Sequence, residues 1–458
     1  MQLPTSFLAL LAAVLALSSV DARPIKRATR RGSSGMITLP IRGVRRDPTL
    51  HVELRHQQQI NRAERLVARA AGLPEPSDAE LRANMERRAS SISSHSKRYS
   101  ASPDYVVPSE ANLVVDNESN DPPVLARNSS EVVPDGADSQ YLATVQLGTP
   151  PRDFVIILDS GSGDFWVGSD DCTAQSGGGG CGNHTFLSAA NSQSFVNTGK
   201  KWSVTYGSGA ASGELITDTL VLANMVLGNH TFGVANSLSA EFTRDGAVDG
   251  LMGLGGATLS NEGVPTPVQA LKNAGFIDAA ITSYRLPRAF DGTNNGEITF
   301  GGLDETKFDP TTLVTMNNTD PNGFWKAPLE GISVNGVDVP GIVSTDGLMD
   351  TGTTLLSVPA KEAAAIHAKI PGAILQNSGQ YTVPCNTNAS VALKFGGRSF
   401  PINPKDLPFA SLGKTSGNCS SGISSSSGST LVVGDTFLKS VYFSTNADDN
   451  TITLATAI

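Results

Sequence analysis

Two aspartates stand in matching sequence frames and could act together as an acid and a base. Asp159 lies in VIILDSGSGDFWV and Asp350 in GLMDTGTTLLSV, so each follows an apolar run. Two carboxylates a few ångströms apart do not both ionise easily; they share one proton, so one group accepts a proton while the other donates one. Such a pair suits the addition of water to an amide. The repeat therefore predicts one site built from two loops.

The residues after each aspartate are of types that shape and support such loops. Gly161 and Gly352 allow a tight bend and a close approach of a second chain segment. The hydroxyls that could hydrogen-bond a carboxylate or an amide belong to Ser160, Ser162, Thr351 and Thr353. A single Asp-Ser/Thr-Gly is usually an ordinary turn. Two copies in repeated apolar frames favour the catalytic interpretation.

A serine nucleophile is the competing interpretation of the first loop. Such a serine needs a histidine base, and the sequence around it lacks the G-x-S-x-G elbow. His184 and His230 lie within glycosylation sequons, and we expect His367 on a surface helix. The sequence therefore disfavours a serine hydrolase.

A second pair of segments repeats in the same order and indicates two similar lobes. LMGLG places Gly253 94 residues after Asp159, and LVVGD places Gly434 84 residues after Asp350. Short alternating strands and frequent turn residues dominate from residue 140 onward. Two brief helices are predicted, in TPVQALKNAG and in PAKEAAAIHAKIPG.

The body of the chain resembles the pepsin-like aspartic endopeptidases, of the secreted fungal type made as a zymogen. The segments that carry the resemblance are YLATVQLGTPPRDF, LDSGSGDFWVGS, VDGLMGLG, MDTGTTLLSVP and LVVGDTFL. Ser160 stands where the family usually has Thr. The resemblance implies an all-β, bilobal acid protease fold whose two lobes are related by a pseudo-twofold axis, with a cleft between them. We expect the lobes at 139–320 and 321–458.

The same resemblance implies the roles of the site residues. Asp159 and Asp350 would form the catalytic dyad, with no metal and no cofactor. VTYGSGAASG resembles the flap that closes over substrate, with Tyr206 and Gly207 in it and Trp166 steadying the tyrosine. We expect Gly207, Gly209 and Gly213 to make a mobile tip.

The N-terminal third of the chain differs in composition from the rest. Residues 1–22 have the apolar core of a secretory signal peptide, and no later stretch is long and apolar enough for a membrane helix. Residues 23–98, called the leader below, carry 17 Lys and Arg against 7 Asp and Glu, whereas residues 99–458 carry 17 against 35. Residues 99–138 are predicted to be a linker or extended arm.

This charge contrast favours a detachable propeptide over a nucleic-acid-binding arm. In the resembling family the leader fills the cleft as an intramolecular inhibitor, and acid weakens its hold. Lys97 or a nearby basic residue is expected at the dyad. Maturation by a kexin-type protease at Lys97-Arg98 remains an alternative to self-cleavage, and the mature N-terminus stays open.

The cysteines and sequons suit a secreted glycoprotein. Four cysteines allow three disulfide connectivities, and we predict the local one, Cys172–Cys181 with Cys385–Cys419. Asn-x-Ser/Thr sequons begin at Asn117, Asn128, Asn183, Asn229, Asn317, Asn388 and Asn418.

These observations lead to one functional prediction and two alternatives. We expect a secreted, monomeric endopeptidase that cleaves polypeptides at acidic pH and is inhibited by pepstatin-type compounds, with delivery to a vacuole as a second destination. Neither nucleic acid nor membrane is expected as a partner. A catalytically silent pepsin-like binding protein is the first alternative. A two-carboxylate glycosidase is the second, although that chemistry does not require matched loops.

Overall fold

A computed structural model describes most of the leader and nearly all of the body, which is defined here as residues 139–458. The described residues are 35–44, 51–99, 138–175, 179–207, 209–243, 246, 248–288, 291–292, 294–412 and 416–458. The predicted signal peptide lies outside them, as do nearly all of the predicted linker and the side chains of Lys97 and Arg98. One compact unit runs from Met36 to Ile458. No helix among the described residues is long and apolar enough to cross a membrane.

The described body is built almost entirely of strands, arranged in three sheets. The largest sheet has thirteen strands in the order β11-β25-β24-β9-β10-β1-β2-β3-β8-β4-β7-β6-β5. These strands are β1 (Ile37–Val44), β2 (Gln140–Leu147), β3 (Arg152–Asp159), β4 (Phe165–Ala174), β5 (Val196–Tyr206), β6 (Gly209–Leu222), β7 (Met225–Leu238), β8 (Gly250–Gly253), β9 (Ile281–Arg285), β10 (Gly296–Phe300), β11 (Phe308–Asn317), β24 (Val441–Asn446) and β25 (Thr451–Ala457).

The remaining strands form an eight-stranded sheet and a four-stranded sheet. The eight-stranded sheet contains β12 (Lys326–Val334), β13 (Val337–Asp338), β14 (Asp346–Met349), β15 (Leu356–Pro359), β18 (Val391–Phe395), β19 (Arg398–Pro401), β22 (Ile423–Ser426) and β23 (Leu431–Val433). The four-stranded sheet contains β16 (Ile374–Leu375), β17 (Tyr381–Pro384), β20 (Pro408–Ser411) and β21 (Asn418–Ser421).

Helices are few, and the two long ones belong to the leader. They are α1 (Val52–Ala70) and α2 (Asp78–Tyr99), followed by α3 (Ala240–Thr243), α4 (Pro267–Asn273), α5 (Ala360–His367) and α6 (Asp435–Leu438). Both helices predicted in the body are present. Helix α4 begins with Pro267 after a capping box between Thr266 and Gln269, which satisfies amides that have no partner within the helix.

The repeat seen in the sequence is also a structural repeat. Strand β3 runs parallel to β8 and places Asp159 beside Gly253. Strand β14 runs parallel to β23 in the same way and places Met349 beside Val433. Residues 156–158, which precede Asp159 in β3, are apolar and buried, and so are all three residues of β23, as expected for strands covered on both faces. Each aspartate is therefore positioned at the buried end of a paired strand.

The leader is integrated with the body rather than attached to its surface. Strand β1 pairs with β10 on one side and with β2 on the other, and its residues alternate between buried and exposed. Helix α1 buries Leu66, Val67 and Ala70 against the body residues Phe324, Leu348 and Val432. Its earlier turns bury Ile60 against Leu355 and Phe409.

One prediction about the fold is wrong. We expected His367 on a surface helix, but its side chain is buried, with 2% of its surface exposed. Its ring stacks on Tyr381 with centroids 3.9 Å apart, and its Nε2 lies 2.9 Å from the hydroxyl of Ser421. Helix α5 has small residues on the face that carries this histidine, so its sequence did not reveal which face packs inward.

A buried ion cluster joins segments that are distant in the chain. Arg288, which follows β9, donates to both carboxylate oxygens of Asp406, and Lys439 Nζ lies 2.8 Å from Asp406 Oδ1. All three side chains are nearly inaccessible. Because Asp406 is shared by two buried cations, it is the member whose loss leaves the most uncompensated charge.

We predict that Asp406→Ala lowers the free energy of unfolding by about 3–5 kcal/mol, since both cations remain buried without their shared partner. Urea unfolding measures the change. Asp291→Ala is the matched control, because Asp291 pairs with Arg288 but its side chain is 40% exposed; its expected cost is below about 1 kcal/mol. Equal effects from the two variants would contradict this account of the cluster.

Candidate active site

The first loop begins where β3 ends, and its own backbone and side chains hold Asp159. The Asp159 side chain has no exposed surface. The Gly161 amide donates to Asp159 Oδ1 at 3.0 Å, and the Ser162 hydroxyl donates to Asp159 Oδ2 at 2.8 Å. These donors replace part of the hydration that the carboxylate loses on burial.

The second loop repeats this arrangement around Asp350, which is also fully buried. The Gly352 amide donates to Asp350 Oδ1 at 2.8 Å, and the Thr353 hydroxyl donates to Asp350 Oδ2. Each aspartate therefore uses the amide two residues ahead and the hydroxyl three residues ahead. The two loops are related by position as well as by sequence.

Reciprocal hydrogen bonds fasten one loop to the other. The Ser160 amide donates to Thr351 Oγ1 at 3.0 Å, and the Thr351 amide donates to Ser160 Oγ at 2.9 Å. The same hydroxyls donate onward across the junction, that of Ser160 to the Met349 carbonyl and that of Thr351 to the Leu158 carbonyl. The first hydroxyl of each motif thus joins the loops, and the second supports its own aspartate.

The glycines allow the two carboxylates to face each other. A Cβ atom added at Gly161 would collide with the carboxylate of Asp350, and one added at Gly352 would collide with that of Asp159. No side chain fits between the loops at either position. The sequence predicted that the two loops approach each other closely at these glycines. The collisions show that glycine is sterically required at both positions.

The surroundings of the two aspartates shift their pKa values in opposite directions. Burial and the neighbouring charge of Asp159 raise the pKa of Asp350 above its ordinary value. Burial also opposes ionisation of Asp159, but Arg62 and the hydrogen bonds to this carboxylate outweigh it and lower its pKa. The pair therefore favours one carboxylate and one carboxylic acid.

An arginine of the leader reaches this pair. Arg62 on α1 places Nη2 3.1 Å from Asp159 Oδ2 and Nε 3.8 Å from Asp350 Oδ2. Its Nε also donates to the Thr353 hydroxyl at 3.3 Å. The sequence had suggested Lys97 or a nearby basic residue, and Arg62 lies 35 positions earlier. The available signal was the spacing of Arg62, Arg65 and Arg69, which places three cations on one helix face.

The predicted flap is the hairpin of β5 and β6, and α1 lies beneath it. The Trp166 indole N–H donates to the Tyr206 hydroxyl at 2.7 Å, so these two residues meet as expected. Arg65 Nη1 donates to the Tyr206 carbonyl at 2.8 Å, and Arg69 Nη2 donates to the Thr205 carbonyl at 2.6 Å. The leader is thus held between the flap and the two aspartates.

The three flap glycines do not have the same role. Gly207 touches the backbone of Arg62, and Gly209 closes the hairpin opposite Tyr206. Gly213 was expected in the mobile tip, but it lies within β6, where a side chain would collide with the Val234 carbonyl. Its sequence neighbours gave no indication of that close approach.

The structure also decides between the other sequence-based interpretations. Ser160 and Ser162 donate to a carbonyl and a carboxylate, rather than to a histidine base. The cysteines pair as predicted, Cys172 with Cys181 and Cys385 with Cys419. Within the described part of the chain, no group of three or more His, Cys, Asp or Glu side chains is arranged to hold a metal ion.

The sequence of this chain is similar to those of known aspartic proteases. Residues 140–457 match the model of the eukaryotic aspartyl protease family. The chain is 34% identical to the aspartic-type endopeptidase ctsD of Aspergillus fumigatus, over 72% of this chain and 68% of that protein. It is 35% identical to rhizopuspepsin of Rhizopus chinensis, over 67% of this chain and 76% of that protein. It is 29% identical to embryonic pepsinogen of Gallus gallus, over 70% and 81%.

The chain belongs to the eukaryotic aspartyl protease family, and it is by that membership a peptide hydrolase of the aspartic type. Its fold is the all-β, bilobal pepsin-like fold that the sequence predicted.

We predict that Ser160→Ala lowers the free energy of unfolding by about 1–3 kcal/mol, because the buried Thr351 amide loses its acceptor. Ser160→Thr keeps the hydroxyl and should retain most of the stability. Urea unfolding of the precursor compares the three proteins. An unchanged urea midpoint for the alanine variant would show that the bonds between the loops do not support the site.

Proposed function

We propose that the body hydrolyses peptide bonds at acidic pH with Asp159 and Asp350 as its catalytic dyad. The observation that carries this proposal is the meeting of two fully buried carboxylates at a junction where Gly161 and Gly352 carry no side chain of their own. One aspartate of the pair is ionised and takes a proton from a water molecule, while the other is protonated and gives one to the carbonyl oxygen of the scissile bond. The oxygen of that water bonds to the carbonyl carbon. The aspartate that took the proton then gives it to the amide nitrogen while the other takes a hydroxyl proton of the intermediate, so the C–N bond breaks and the pair returns to its starting state.

The flap contributes by enclosing the substrate. Tyr206 is 3% exposed and bonded to Trp166, so its ring is fixed while the adjacent glycines permit the hairpin to move. Closure of such a hairpin excludes water from the reacting atoms and completes the site. Tyr206, Gly207 and Trp166 therefore position the substrate.

The leader acts as an intramolecular inhibitor. Helix α1 occupies the space between the flap and the dyad, and Arg62 lies where the scissile bond of a substrate must be placed. Arg65 and Arg69 add hydrogen bonds to the flap backbone. A peptide cannot reach Asp159 and Asp350 until this helix leaves, so the chain is made as a zymogen.

Acid is the trigger that releases the leader. Arg62 helps to lower the pKa of Asp159, so the ion pair is stable above that pKa and is lost as pH falls through it. A guanidinium keeps its charge throughout this range, and only the carboxylate partner titrates. Self-cleavage after release and cleavage by another protease at Lys97-Arg98 are both compatible with this trigger.

The substrates are polypeptides that bind in an extended form along the cleft. Departure of α1 uncovers the apolar residues Phe324, Leu348 and Val432, which favour apolar substrate side chains. We expect the enzyme to enter the secretory route, which the predicted signal peptide and sequons favour, with release from the cell as the proposed destination and a vacuole as the alternative. We expect it to act as a monomer and to bind pepstatin-type inhibitors.

The central experiment replaces each member of the dyad. We predict that Asp159→Asn and Asp350→Asn each lower the rate of acid proteolysis about 10²- to 10⁴-fold, the usual contribution of proton transfer by a positioned side chain. Digestion of denatured haemoglobin, with and without pepstatin, provides the measurement. Asp171→Asn is the control, since Asp171 is an exposed carboxylate of β4. A folded wild-type protein without pepstatin-sensitive activity would instead indicate the silent binding protein.

A second experiment tests the inhibitor role of Arg62. We predict that the Arg62→Met precursor cleaves peptides at least about tenfold faster than the wild-type precursor at a pH just above the wild-type activation pH, because the leader loses its buried charge pair. Arg62→Lys keeps a cation at this position and should stay inhibited. Arg87→Met changes an exposed arginine of α2 and serves as the control. An Arg62→Met precursor as inactive as wild type would refute the inhibitor role.

A further inference from the structure

Lys326 lies at the edge of the apolar surface that the leader covers. It is the first residue of β12 and follows Phe324 and Trp325 in the chain. Its Nζ lies 2.6 Å from Asp320 Oδ2 and donates to the Ala70 carbonyl at 3.0 Å. The Lys326 side chain is only 14% exposed and that of Asp320 is 1% exposed. A nearly buried ammonium group thus binds the last residue of helix α1.

The body holds the Lys326 ammonium in place without help from the leader. Asp320 Oδ1 accepts from the amides of Asn322 and Phe324, which fixes this carboxylate within the loop that precedes β12. The Lys326 amide itself donates to Asn318 Oδ1 at 2.9 Å. Removal of the leader takes away the Ala70 carbonyl but leaves Asp320 and its anchors. Lys326 then keeps a positioned N–H donor directed into the emptied cleft.

The distance from the dyad follows from the geometry of α1. Arg62 of this helix contacts the dyad, and Ala70 lies eight residues further along. A helix rises about 1.5 Å per residue, so the two positions are about 12 Å apart along its axis. An extended peptide covers about 3.3 Å per residue. The donor therefore lies three to four substrate residues from the scissile bond, on the side of Phe324.

We propose that Lys326 is a substrate-binding residue that recognises an oxygen acceptor, either a backbone carbonyl or an acidic side chain, three or four residues from the scissile bond. The Ala70 carbonyl occupies in the precursor the place that this substrate oxygen takes in the active enzyme. A carboxylate binds more strongly than a carbonyl, because its charge adds to the hydrogen bond. This inference rests on the proposed peptidase function and concerns the same cleft.

The test uses the full-length precursor, matured in acid, and a nested series of peptides. The peptides share one scissile bond and are extended one residue at a time on each side. We expect wild-type kcat/KM to rise about tenfold when the third or fourth residue is added on one side, mainly through a lower KM. Lys326→Met should abolish this gain. Peptides with Glu or Gln at the responsive position separate recognition of a carboxylate from recognition of the backbone.

Two further variants guard against a merely structural effect. Lys326→Met leaves Asp320 buried without its cation, so the double variant Asp320→Asn/Lys326→Met removes both charges and should show the same loss of gain. Lys272→Met is the matched control, because Lys272 of α4 pairs with Asp448, which lies between β24 and β25, outside the contacts given for α1. It should keep the full gain from extension.

The outcomes for Lys326 and for the peptidase function are distinguishable. Equal extension gains in wild type, Lys326→Met and the double variant would overturn the role of Lys326 and leave the peptidase function standing. If the wild-type enzyme cleaves none of the peptides, the proposed function fails. Fluorescence anisotropy with the same peptides then still decides on Lys326, since its loss should weaken binding of only the longer ones.

Discussion

The structure depends on the burial of two carboxylates at the contact between two loops. Removing Asp159 and Asp350 from water opposes their ionisation, and the charge of each opposes that of the other. Each loop compensates in part, because one of its amides and one of its hydroxyls donate hydrogen bonds to its own aspartate. The pair therefore favours one shared proton, and in the proposed mechanism this state activates water and polarises a carbonyl.

Arg62 of the leader interacts with the same two buried carboxylates. A fixed positive charge beside the two aspartates stabilises the ionised one, and in the proposed zymogen this charge must leave before a substrate binds. Two other arginines of α1 hold the flap through hydrogen bonds to its backbone, and their ion pairs are made with acidic side chains of the leader. Arg65 pairs with Asp78 and Arg69 with Glu75, all within the leader, and both arginines contact the flap through backbone carbonyls.

Helix α1 of the leader covers a continuous row of body residues on both sides of the two aspartates. Helix α1 runs from the region of Phe409, past the dyad, to Phe324 and Lys326. Apolar residues of the helix lie on apolar residues of the body, and its last carbonyl lies on the lysine. In its proposed role as an inhibitor the leader covers the surface that later binds substrate, so its contacts indicate which body residues would meet a peptide.

The sequence by itself determined the repeated loops and the strands that lead into them, because these follow from local patterns of apolar residues and glycines. For the disulfides it allowed three connectivities, and the structure has the local one that was predicted. The resemblance to the family implied that Trp166 contacts Tyr206, and the structure has this hydrogen bond. The sequence did not determine that Arg62 enters the dyad, that His367 faces inward or that Lys326 faces the cleft. Those facts depend on contacts between segments tens to hundreds of residues apart, and only the folded chain decides which distant side chains become neighbours.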